Sequence, residues 1–81
     1  MAFHGKYGHL SSINAAIQAL KDVEKEYFET KFSKIDDKNV SIEKRYDDMR
    51  FLRMIEGLQW VVLKNGGNLS FSKLPDLTKR T

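Results

Sequence analysis

The sequence predicts an all-α chain: an antiparallel two-helix hairpin with an N-terminal arm and a short extended C-terminal tail, assembling into a homo-oligomer. Three observations carry this. Apolar residues recur at spacings of three and four over two long stretches. The polar run Asp36-Asp37-Lys38-Asn39 separates them, and so short a connection makes consecutive helices antiparallel. Apolar and aromatic side chains also occupy a wider arc of each helix than one partner helix covers, so burial is expected to be completed against other copies or a partner.

The 81 residues form a single domain. Residues 1–10, MAFHGKYGHL, have no helical period and read as an arm. Helix one spans 11–35, with Ser11 or Ser12 as its N-cap, because a serine hydroxyl accepts a hydrogen bond from a backbone N–H that the first turn leaves free. Its stripe is Ile13, Ala16, Leu20, Val23 and Tyr27 with Ile17 beside it, and Phe28, Phe32 and Ile35 continue the arc; the intervening KDVEKE supplies the wet face.

The turn covers 36–40 and helix two 41–65. Ser41 caps it and Glu43 favours its first turn. Ile42, Tyr46, Met49, Leu52, Ile55, Leu58 and Val62 make the second stripe, widened by Phe51, Met54, Trp60 and Val61. Asn65-Gly66-Gly67 ends the helix, since glycine adopts the left-handed C-cap geometry without steric cost. In the tail, 66–81, Leu69, Phe71 and Leu74 alternate with polar residues up to Pro75, as in an extended strap laid over the hairpin or over a neighbour. Gly57, inside helix two, costs about 0.8–1 kcal/mol relative to alanine, which points to a close helix approach at that position.

Composition narrows the function classes. A domain this short supplies about 3–5 kcal/mol from its core alone, and with no cysteine it has neither disulfides nor a thiolate zinc site, so oligomerisation is the reinforcement left. The lack of cysteine also fits a reducing cytoplasm, the host's if the chain is viral. Met1 to His9 carries one lysine and no apolar run, so neither a signal peptide nor a membrane span is expected there. The net charge of +3, from 14 basic and 11 acidic residues, suits a small anionic ligand better than a dedicated nucleic-acid role.

No catalytic constellation stands out, and no enzyme activity, metal or cofactor is expected. His4 and His9 are five apart in a glycine-containing arm without partner ligands. Asp36, Asp37, Asp47 and Asp48 form adjacent pairs that read as capping and solvated residues. Gly5-Lys6-Tyr7-Gly8 lacks the strand and glycine spacing of a phosphate loop. The cations Lys44, Arg45, Arg50 and Arg53, interleaved with Tyr46 and Phe51, have the chemistry for nucleotide recognition: a planar guanidinium fork for phosphate and a ring for a base. They equally suit a salt-bridged surface, with Asp47 and Asp48 neutralising the arginines.

Two patches resemble a known family. Tyr7-x-x-Leu10-Ser11 followed by Gln18-x-Leu20-Lys21, and Arg45-Tyr46 with Met49 and then Glu56-Gly57-Leu58-Gln59-Trp60, are similar to the helical-hairpin domain of phage sponge proteins that sequester the cyclic oligonucleotide signals of bacterial anti-phage defence, the anti-CBASS and anti-Thoeris sponges. The resemblance implies a hexamer that binds cyclic di- or trinucleotides without hydrolysing them. It implies Tyr7 as the ring that stacks on a base, Lys21 as a phosphate contact, with Lys25 one turn on as its substitute, and Arg45 as the cation of a second pocket. The amino-terminal patch is one residue shorter than the family's, and Tyr46 stands where the family has tryptophan.

The expected partners are thus further copies of the chain and a cyclic oligonucleotide. Two rival readings stand beside them. One is an inhibitor or adaptor docking on a host protein through Trp60, Phe51 and Phe71. The other is a weak nucleic-acid binder using Arg45, Arg50, Arg53 and the terminal Lys79-Arg80.

Overall fold

The computed structural model describes residues 10–33 and 37–79, and among these every regular element is helical. Helix α1 is Ser12–Asp22, α2 is Glu24–Glu29 and α3 is Ile42–Lys64, followed by a single 3-10 turn at Leu77–Lys79.

Ser11 is the N-cap of α1: its backbone is extended and its hydroxyl accepts from the Asn14 N–H. The expected single helix from 11 to 35 is interrupted and then cut short. Val23 leaves the helical conformation at ψ −1°, although its N–H still bonds Ala19 and its carbonyl still receives Tyr27 N–H, so α1 and α2 follow one another with one residue between them. Thr30 then turns extended, with its hydroxyl bonded at 2.7 Å to the Glu26 carbonyl. Downstream groups are committed to α3: the Lys31 carbonyl accepts from Lys44 Nζ, and both the backbone N–H and the hydroxyl of Ser33 donate to Asp48 at 2.9 Å. A helix continuing through 31–33 would need those backbone groups for itself. The expected helix end at Ile35 and the turn residue Asp36 lie outside the described residues; within the turn, Asp37 accepts from the Asn39 N–H.

Helix α3 runs 23 residues, about 34 Å, between the expected signals. Ser41 Oγ accepts from Lys44 N–H at its start, and Gly66 takes φ +83° just past its end. Gly67 is constrained differently. A Cβ there would lie 2.9 Å from a Val62 methyl, 3.1 Å from Ile13 Cδ1 and 3.2 Å from the Val62 carbonyl oxygen, so the start of α1 and the end of α3 meet over a residue where any side chain would force its neighbours to shift.

The core forms where three alanines, Ala15, Ala16 and Ala19, let α1 come close to α3. Leu20 inserts there against Ile55, Leu58 and Val62, and Leu20, Ile55 and Val62 are wholly buried. Ile17, Val23, Tyr27 and Phe51 pack round this cluster, and stacked or tilted contacts join Tyr27, Phe32 and Phe51 at ring separations of 5.1–6.1 Å.

The second apolar stripe does not hold together as a single face. Ile42 and Val62 are twenty residues apart, and at about 100° per residue they point roughly 200° away from each other. Ile42 and Tyr46 are accordingly 57% and 59% exposed, while the buried face is completed by the polar Asp48 and Gln59. On α2, Phe28 is likewise exposed.

Part of the wide apolar arc is covered by the tail. Leu74 is buried in the core, and Leu69, Phe71 and Leu77 pack against it. The backbone that delivers them is a series of local turns where an extended strap was expected: Ser72 N–H bonds the Leu69 carbonyl, Asn68 accepts from Ser70 N–H, and Asp76 accepts from Thr78 N–H. Two contacts fasten it. Gln59, buried in α3, donates through Nε2 to the Pro75 carbonyl at 2.8 Å and accepts Leu77 N–H at 2.9 Å, and Lys73 N–H reaches Glu24 at 3.2 Å.

The two glycines of α3's second half and its end call for opposite outcomes on substitution. Gly67→Ala forces a methyl into Val62 and is expected to cost about 1–3 kcal/mol. At Gly57, which is exposed, an added Cβ meets nothing within 4 Å, so the close approach inferred there is not made inside one copy. Gly57→Ala is therefore expected to stabilise by about 0.5–1 kcal/mol. Urea melts of the two variants, compared at equal slope, check both signs.

Candidate functional site

The outward turn of α3's first half makes a depression that gathers sequence-predicted residues. Ile42, Arg45, Tyr46 and Met49 are spaced three and four apart, so they share one side of two successive turns, and they line an open hollow of 260 Å³. Because this side is displaced from the Ile55–Val62 core face, its apolar members face solvent.

Within the hollow the residues differ in freedom. Arg45 is half-buried and its Nε is sealed from solvent, so the stem of the guanidinium is packed in place. Tyr46 projects, with most of its ring accessible for stacking. Ile42 and Met49 provide an apolar floor. The combination can hold an anion against a guanidinium while a planar group lies on a ring.

Two neighbouring cations, Lys44 and Arg50, pair with aspartates of α3. Lys44 Nζ contacts both Asp48 carboxylate oxygens at 2.6 and 2.8 Å, and Arg50 pairs with Asp47 at 2.5 Å across an exposed turn. Of the two aspartates expected to neutralise arginines, Asp47 does so, whereas Asp48 is buried and serves Lys44 and Ser33. The Lys44 ammonium, followed by the Ser33 backbone N–H, holds the Asp48 carboxyl below the usual carboxylate range. Its adjacency to Asp47 in sequence suggested a solvated pair; only its register with the core residues Phe51, Ile55 and Val62 marks it as inward-facing.

Two other candidates, Lys21 and Lys25, do not line the hollow. Lys21 is exposed in the last turn of α1 and Lys25 is exposed on α2. Tyr7, like His4, His9 and Arg80, lies outside the described residues. Of the three aromatics expected to dock on a host protein, Trp60 is exposed, while Phe51 and Phe71 pack against the core.

Among the described residues no three His, Asp or Glu side chains cluster as metal ligands, and no helix is long and apolar enough to cross a membrane. No protein-family model, curated protein or solved structure matches the chain.

Proposed function

We propose that the chain is a non-enzymatic binding module for cyclic di- and trinucleotides, one class of which it holds by phosphate and base in the Ile42–Met49 hollow. It acts as an antiparallel hairpin assembled into a homo-oligomer, and sequesters the ligand without hydrolysing it. The observation that carries this reading is the packed Arg45 beside the projecting ring of Tyr46.

Size argues for the assembly. At 260 Å³ the hollow falls below the roughly 300–1,000 Å³ of complete small-molecule sites, so it accommodates one base and its phosphate, and a second copy closes over the rest of a cyclic ligand. Phe28, Ile42 and Tyr46, each more than half exposed, supply apolar surface for that contact. The hairpin arrangement is supported at both ends, by Ile13 against Gly67 and by Ser33 against Asp48. Sequestration of cyclic oligonucleotides follows from the likeness to the sponge hairpin, with Tyr7 and Lys21 or Lys25 forming a first site and Arg45 a second.

Titration calorimetry with cyclic dinucleotides and trinucleotides, with light scattering for mass, tests this. Expected are saturable binding, intact ligand on recovery and a mass above one copy. Arg45→Ala is expected to weaken one ligand class by about tenfold to a hundredfold, the range of a lost charged hydrogen bond of about 1.5–3 kcal/mol. Tyr7→Ala is expected to weaken the other class. A single-copy protein deaf to every cyclic nucleotide overturns the reading.

A further inference from the structure

The outer face of α3 beyond the hollow carries a second, separate surface. Arg50, Arg53, Gly57, Trp60 and Lys64 follow one another at spacings of three and four, with Met54 beside Arg53; all are exposed, and this row looks away from the core residues Ile55, Leu58 and Val62. From Arg50 to Lys64 it is about 21 Å long. Glycine at its middle leaves a gap in the side-chain wall, with nothing within 4 Å of the missing Cβ, and Trp60 borders the gap with 42% of its surface accessible.

The charges of the row have one sign. Arg53 and Lys64 pair with no carboxylate among the described residues, and Arg50 is held only by the exposed Asp47 contact, which is worth about 0–1 kcal/mol and yields readily to a stronger anion. A second copy is a poor occupant: an antiparallel crossing at Gly57 sets Arg50 against Lys64 at both ends, like charge on like. Three cations, an exposed indole and a gap that admits a bulky group between them suit a chain of phosphates that also carries stackable rings.

We propose that this face binds single-stranded nucleic acid over about three to four nucleotides, with a base stacked on Trp60, backbone phosphates at Arg50, Arg53 and Lys64, and the sugar-phosphate chain crossing at Gly57. The surface does not use Arg45 or Tyr46, so it stands independently of the cyclic-nucleotide reading.

Trp60 is the sole tryptophan, so its fluorescence reports on this face alone. The full chain is titrated with an eight-residue oligothymidylate at several KCl concentrations. Quenching is expected, with log K falling against log salt at a slope of about −2, as for roughly three phosphate contacts on a single strand. Followed by anisotropy of a labelled oligonucleotide, Trp60→Ala is expected to bind about tenfold or more weakly. Arg53→Ala and Lys64→Ala are each expected to flatten the slope by about 0.7. Gly57→Leu fills the gap at an exposed site and is expected to lose binding while melting no lower than the parent. Arg45→Ala is expected to bind the oligonucleotide normally, whatever it does to cyclic nucleotides. No quenching, a salt-independent signal, parental affinity in Trp60→Ala, or quenching reproduced by raising protein concentration alone would overturn the proposal. Tighter binding of an acidic helical peptide at the same residues would overturn it too.

Discussion

Replacing Gln59 with alanine is expected to lower stability by about 2–4 kcal/mol and to release the tail. The amide makes two hydrogen bonds to the tail backbone, and its removal leaves the carbonyl of the exposed Pro75 and the N–H of the half-buried Leu77 without those partners. Each bond contributes about 1 kcal/mol net, and truncating the buried Gln59 side chain leaves a cavity that adds about 1–2 kcal/mol. For a domain of this size each kcal/mol lowers Tm by about 4–8 °C, so a fall on the order of 10–20 °C is expected. The effect should be local as well as global. Leu74, Phe71 and Leu77 are held over the core through this clamp, so amide exchange at Leu77 should accelerate more than at Ile55 or Val62. Gln59→Glu keeps the acceptor for Leu77 N–H but turns an oxygen toward the Pro75 oxygen, and should fall between parent and alanine at neutral pH. A Tm within 2 °C of the parent for Gln59→Ala would mean that apolar contact alone fastens the tail.

Asp48→Ala is expected to cost about 2–3 kcal/mol, because one carboxylate collects the Ser33 N–H, the Ser33 hydroxyl and the Lys44 ammonium, and bonds to a charged group are worth about 1.5–3 kcal/mol. Its loss unfastens the segment after Thr30 from α3. The pH dependence has a definite sign. The folded carboxyl is held below its unfolded value near 3.8, so its stabilising contribution is complete above that value and is lost as pH falls through the lower, folded pKa. Asp76, lowered chiefly by the Thr78 hydroxyl, loses its contribution in the same acid window. Thermal melts from pH 6 to pH 2 should thus decline steeply below about pH 4 for the parent, and less so for Asp48→Asn, in which Asp76 still titrates. Identical acid profiles would show that Asp48 does not couple protonation to folding.

The elements that local chemistry decides were readable without coordinates. Ser11 and Ser41 cap helices because a hydroxyl meets a free N–H within three residues, and Gly66 ends α3 because positive φ favours glycine. The span of α3 followed from these signals to within one residue at each end. The cation-aromatic interleaving around Arg45 and Tyr46 likewise pointed at the surface where the hollow lies. Ile42, which floors it, was assigned to the buried stripe, because spacings of three and four that average less than 3.6 drift round the helix and only the packed structure shows where the drift leaves the core.

What sequence alone determined, then, is an all-helical chain with two capped helical segments, a glycine stop and a basic-aromatic surface on the second segment. Tertiary structure decided where helix one ends, which polar residues go inside and what the tail does. The reason is the same in each case. Lys31, Ser33, Asp48, Gln59 and, in the tail, Lys73, Pro75 and Leu77 are positioned by hydrogen bonds to partners 13 to 49 residues away: Lys44 to Lys31, Ser33 to Asp48, Gln59 to Pro75 and Leu77, and Lys73 to Glu24. Such long-range pairing of polar groups leaves no periodicity in the chain, and it exists only once the helices have packed.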